Sequence, residues 1–133
     1  MAKPIFTEKA ILQTIVGFAA FTPVVTGLAG LLNGPSFLGV EAWPVDLDSH
    51  FRFYSGIFLA IGIAWYCCIP DIERKTQRFR LLAALTFCGG LGRLLSLIMV
   101  GAPSVGHLLG LGMELASVPL LVLWQARIAR TLA

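Results

Sequence analysis

Residues 81–126 read LLAALTFCGGLGRLLSLIMVGAPSVGHLLGLGMELASVPLLVLWQA. The stretch contains two apolar runs of about 20 residues, each long enough to cross a hydrocarbon core of roughly 30 Å as a helix. Between them, Gly101-Ala102-Pro103-Ser104 supplies an uncharged turn. Within the runs stand Arg93, His107 and Glu114. Ionisable groups at bilayer depth are costly, so they face protein or a cavity and take partners. The stretch therefore decides the fold, a membrane-spanning helical hairpin, and marks its central charges as a candidate site.

The rest of the chain follows the same pattern. Its 133 residues are 57% hydrophobic and 13% charged, with a mean hydropathy of +0.84. A soluble domain of this length needs more polar surface. Spans are expected at about residues 10–32, 50–69, 79–100 and 104–126. They nearly exhaust the chain and leave no room for a soluble catalytic domain. The expected fold is all-α, an integral membrane four-helix bundle forming one transmembrane domain over residues 1–133, with sequential helices antiparallel. Lys3 and Lys9 precede the first apolar run as in a signal peptide. That run, however, stays uncharged to Val40, well past a signal-peptide core of about 7–15 residues, so an uncleaved span is expected. Pro23 is expected to bend it. Gly17, Gly27 and Gly30 allow another helix to approach closely.

Charge sets the orientation. Arg74, Lys75, Arg78 and Arg80 lie between the second and third spans, and Arg127 and Arg130 follow the fourth. Basic residues in short loops mark the cytoplasmic side, which puts both termini inside. The formal charge of +3 does not point to nucleic acid, because Phe79 alone interleaves with the basic cluster and no nucleic-acid motif surrounds it. Membrane lipids, anionic ones included, are the expected partners. Residues 33–49, NGPSFLGVEAWPVDLDS, form an outer loop between the first two helices. Trp43 is expected as its anchor at headgroup level, with part of the loop folded back as a short helix or lid. Asp48 or Ser49 is expected to cap the next helix. Cys67, Cys68 and Cys88 read as small apolar fillers, since adjacent cysteines rarely bridge and the cytoplasm is reducing.

Arg93 lies ten residues before Pro103 and Glu114 eleven after it. At about 1.5 Å per residue both fall roughly 15 Å below the outer turn, so an Arg93–Glu114 pair is expected near mid-membrane. Such a pair either fixes helix register or forms the charged floor of a cavity opening outward. His107 stands two helical turns before Glu114 on one face. His50 and Arg52 open the second span, and Tyr54 lies one turn below His50. His50, Arg52, Tyr54, Arg93, His107 and Glu114 are the candidate ligand-binding lining. Two arginines facing a cavity suit a carboxylate or phosphate headgroup. No H-E-x-x-H or comparable spacing occurs, so no metal site is expected, and no cofactor motif is evident.

Two strings, SHFRFYSGIFLAIGIAWYCCIPDIERKTQRFR and FCGGLGRLLSLIMVGAPS, resemble a bacterial family of small four-span membrane proteins catalogued only as a domain of unknown function. The features that carry the resemblance are His50, Arg52 and Gly56, then Gly89, Gly90, Arg93 and Ser96, and finally Glu114. More distantly, the layout is similar to DoxX-type four-helix membrane proteins, some of which are linked to quinone or sulfur redox chemistry. The resemblance implies a four-span fold in a bacterial inner membrane and a shared polar cluster; it implies no reaction.

Three functions are compatible with these residues. The first is a binding module whose outward-opening pocket takes an amphiphilic ligand, a lipid, quinone or similar, with Arg52 and Arg93 on its polar head and Glu114 orienting Arg93. The second is a small membrane enzyme using Glu114 and a histidine as acid and base. The third is an accessory or assembly subunit that docks through glycine-rich faces of spans one and three, in a homo-oligomer or a larger membrane complex.

Overall fold

The computed structural model describes residues 2–132. Helix α1 is Ala2–Asn33, followed by a 3-10 turn at Gly34–Leu38. Helix α2 is Val45–Cys68 and α3 is Thr76–Met99. Helix α4 runs over Val105–Leu132, and its turn Met113–Ser117 is π-helical. No strand occurs among the described residues. All four helices are long and apolar enough to cross a membrane, and at most 28% of any span's apolar window is buried. Phe18, Ile98, Met99, Leu109 and Leu123 are largely exposed. Apolar side chains turned outward suit lipid rather than water, and helices satisfy their own backbone groups there. The chain is a multi-pass membrane protein.

The helix ends differ from those expected, for local reasons. Helix α1 begins at Ala2 rather than near residue 10. Pro4 sits in the first turn, where no N–H is needed, and Glu8 and Lys9 favour helix. Both charges are also paired: the Glu8 carboxylate accepts from Trp124 Nε1 at 3.2 Å and Arg127 Nη2 at 3.1 Å, and Lys9 meets Glu73 at 2.9 Å. Helix α1 then continues through Pro23. Helix α2 begins at Val45 rather than residue 50, with Pro44 in extended conformation at the N-cap position. The expected cap by Asp48 or Ser49 is therefore not made. Asp46 and Asp48 lie within the first turn instead, where carboxylates meet the positive end of the helix dipole. The expected short helix in the outer loop is the 3-10 turn.

By contact the chain divides into two units, Gln13–Pro70 and the remainder. In the first, α1 and α2 approach closely at glycine. A Cβ on Gly27 would stand 2.6 Å from the Leu59 nitrogen, one on Gly62 2.7 Å from Val24 Cγ2, and one on Gly30 would strike the Ser55 hydroxyl. The glycines that the first span was expected to offer another helix are thus, at Gly27 and Gly30, used by α2. Gln13 Nε2 donates to the Ile69 carbonyl and the Tyr66 hydroxyl to that of Gly17, both at 2.9 Å.

The second unit joins the start of α1, through Leu12, to everything from Asp71 onward. Leu12, Ile72, Phe79 and Ile128 are wholly buried there. Buried Gln125 donates through Nε2 to the Ile72 carbonyl and to Thr76 Oγ1, both at 2.9 Å, fixing the α2–α3 connection against α4. Burial works to raise Glu73. The Lys9 hydrogen bond, its own backbone N–H and the charges of Lys9 and Arg74 outweigh that effect and hold its carboxyl below the ordinary value.

Candidate functional site

Within the second unit, α3 and α4 run antiparallel about the turn at Gly101, whose φ of 117° suits glycine. Arg93 is six residues from the end of α3 and Glu114 nine from the start of α4. At about 1.5 Å per residue these are depths of roughly 9 and 13 Å, not one shared level. The long arginine side chain spans the offset. Its Nε sits 3.1 Å from Glu114 Oε1 and 3.0 Å from Oε2, so the expected pair forms.

The two partners differ in exposure. Glu114 is 7% exposed, whereas the Arg93 side chain is 34% exposed. Arg93 reaches the carboxylate through Nε alone, and no described residue accepts a hydrogen bond from its Nη1 or Nη2. A guanidinium carries five N–H donors in a planar fork, so the terminal edge of Arg93 has donors left without an acceptor among the described residues.

Glu114 owes its place to a break in helical regularity. Pro119 has no N–H and crowds the carbonyl four residues earlier. Across the π-helical turn just before it, Val118 N–H donates to the Met113 carbonyl, five residues back. The extra residue in this turn resets the face on which Glu114 lies. On α3, Gly90 admits it: a Cβ there would stand 2.8 Å from Glu114 Cβ and 2.8 Å from Leu115 Cδ2. Neither Pro119 nor Gly90 was among the expected site residues. A proline five residues after an intramembrane glutamate is the signal that marks the π turn.

His107 lies near the start of α4, where Ser104 Oγ is 2.9 Å from its Nδ1. Ser104 holds the N-cap position, but its hydroxyl meets the imidazole instead of a backbone N–H.

The other three candidates belong to the Gln13–Pro70 unit, and they do not form one group. Arg52 Nε and Nη2 meet the Asp48 carboxylate at 2.8 and 3.3 Å, and Nη1 donates to the Leu31 and Leu32 carbonyls at 2.6 and 3.0 Å. Those carbonyls end α1, where helix acceptors lack partners. Trp43 Nε1 completes the cluster by donating to Asp48 Oδ1 at 3.2 Å. Gly34, at φ 61°, fits beneath it; a Cβ would stand 2.5 Å from Asp48 Oδ1 and 2.8 Å from Arg52 Nη2. Arg52 thus ties the C-terminal end of α1 to the N-terminal end of α2. His50 and Tyr54 make the expected ring contact, with centroids 5.6 Å apart, but both are exposed. At about 100° per residue Arg52 points to the side of α2 away from both.

No three His, Cys, Asp or Glu side chains among the described residues are grouped to hold a metal ion.

The chain matches a family model described as a domain of unknown function, DUF4345, over residues 11–125. It belongs to that family. No curated protein and no solved structure matches it.

Proposed function

We propose that this DUF4345 protein binds the polar end of an amphiphilic molecule within the membrane, using the terminal N–H groups of Arg93 while Glu114 holds that side chain by Nε. What carries the reading is the division of labour within one guanidinium. Its Nε edge is fixed on a buried carboxylate, and its Nη edge has no partner among the described residues. Unsatisfied donors in hydrocarbon are costly, so a membrane-embedded fork of this kind recruits acceptors. Arg93 lies roughly 9 Å from its helix end, within reach of a molecule whose head sits near the interface and whose tail follows the exposed apolar faces of α3 and α4.

Basic residues at the opposite end of this unit support an orientation with both termini in the cytoplasm of a bacterial inner membrane. The site would then open toward the outer leaflet.

Solvent extraction of the purified protein, with mass analysis of the extract, tests the proposal. Wild type should release a defined amphiphile in stoichiometric amount. Arg93→Gln, purified at equal yield and helicity, should release little of it. The same extract from both proteins would refute the assignment.

A further inference from the structure

We infer that the Arg93 site selects an uncharged amphiphile whose polar end is a carbonyl-type acceptor, rather than an anionic headgroup; this rests on the binding function proposed for Arg93. The inference comes from charge balance. Arg93 and Glu114 are in direct contact, at 3.0 and 3.1 Å through a single nitrogen, and as an ion pair their charges cancel. Within the same unit the nearest fixed charges along α3 and α4 are Arg80 and Arg127, each thirteen residues away. That separation is roughly 20 Å along either helix, far beyond direct contact. Between Arg93 and Glu114 along α3, the turn and α4, His107 is the one other titratable residue, and its Nδ1 lies 2.9 Å from Ser104 Oγ.

A carboxylate or phosphate on the Nη edge would share one guanidinium with Glu114, making a second anion beside the first and leaving the site negative. Like charges sharing a poorly solvated site repel strongly. A carbonyl oxygen accepts the same N–H bonds and leaves the balance at zero. Gly90 lets α3 approach Glu114 at its Cβ, and Arg93 Nε then holds both carboxylate oxygens, at 3.1 and 3.0 Å. An arginine meant for an anion is better left without its own buried counter-charge.

The same chemistry occurs in an acyl ester and in a ketone, so the test includes both. Protein in maltoside micelles at pH 8 is offered monoolein, 2-heptadecanone or oleate, and retention is read by native mass spectrometry. Wild type should hold monoolein, the ketone or both at least about tenfold more tightly than oleate. Retention of monoolein alone would identify the ester as the recognised group, and retention of both the carbonyl itself. Glu114→Gln removes the counter-charge but keeps the shape, and should reverse the order in favour of oleate. If that variant does not fold, the wild-type ranking decides alone. Wild type that prefers oleate, with binding lost in Arg93→Gln, would overturn this selectivity while leaving Arg93 as the ligand's anchor. Probes held equally by wild type and Arg93→Gln, or not held at all, would overturn both.

Discussion

Arg52 and Arg93 are the same residue type at similar distances from helix ends, yet their surroundings assign them different work. Arg52 meets Asp48 and two α1 carbonyls through Nε, Nη1 and Nη2, so it serves the fold. Arg93 meets one carboxylate through Nε, and its Nη edge is the one proposed to hold a ligand. Arg52→Gln should therefore lower the thermal midpoint in detergent by several degrees, through loss of the charged hydrogen bonds to Asp48 and to the two carbonyls that end α1. Gly34→Ala should destabilise by about 2 kcal/mol or more, because φ is positive and the added carbon meets Asp48 and Arg52. Thermal unfolding followed by helicity measures both. The sequence showed that these arginines lay in apolar segments. It did not show which was already satisfied, because the partners of Arg52 include backbone carbonyls about twenty residues away, brought close only by packing of α1 on α2. By contrast, the Arg93–Glu114 pair was legible, since a short turn between two antiparallel helices brings nearly equidistant residues together.

At the scale of the element, the four spans were legible because apolar length is a strong signal. Their ends were less so. Helix α1 extends past its apolar run because Glu8 and Lys9 have partners on α4 and in the α2–α3 connection, and no local pattern encodes those contacts. The π turn in α4 was missed, although Pro119 signals it. Pro119→Ala restores the N–H and should let α4 return to regular winding. Removing the bulge turns the residues on one side of it by about 100° relative to the other, which takes Glu114 off Arg93. The expected result is equal or greater helicity with loss of the bound amphiphile. Retained binding would show that the bulge does not place the site.

The connection between α2 and α3 carries a pH-dependent contribution to stability. The Glu73 carboxyl is held below its ordinary value by Lys9 and its neighbours, despite burial. A carboxylate with a depressed folded value adds stability that is complete above the unfolded value. That stability is lost as pH falls through the folded one. Wild type should therefore lose stability progressively below about pH 4.5, and Glu73→Gln should flatten that part of the profile. A variant with an unchanged acid limb would remove Glu73 from the account.

For the whole molecule, outward apolar faces and four long helices make a multi-pass membrane protein, and the positions of the basic residues propose its sidedness. In a cysteine-free background, Ser36→Cys should react with an impermeant maleimide in intact cells, and Arg78→Cys only after permeabilisation. The reverse pattern would invert the topology and turn the Arg93 site toward the cytoplasmic leaflet. Charge distribution in the sequence proposes this orientation, whereas no pattern in the chain alone encodes the ligand.

The Nη edge of Arg93 is proposed as a ligand's anchor, whereas that of Arg52 is a structural tie. The most direct test is the mass of the intact protein released from mild-detergent micelles, compared among wild type, Arg93→Gln and Arg52→Gln. The account predicts a bound small molecule on wild type and on the folded fraction of Arg52→Gln, and none on Arg93→Gln. A ligand carried equally by Arg93→Gln, or lost only from Arg52→Gln, would contradict it.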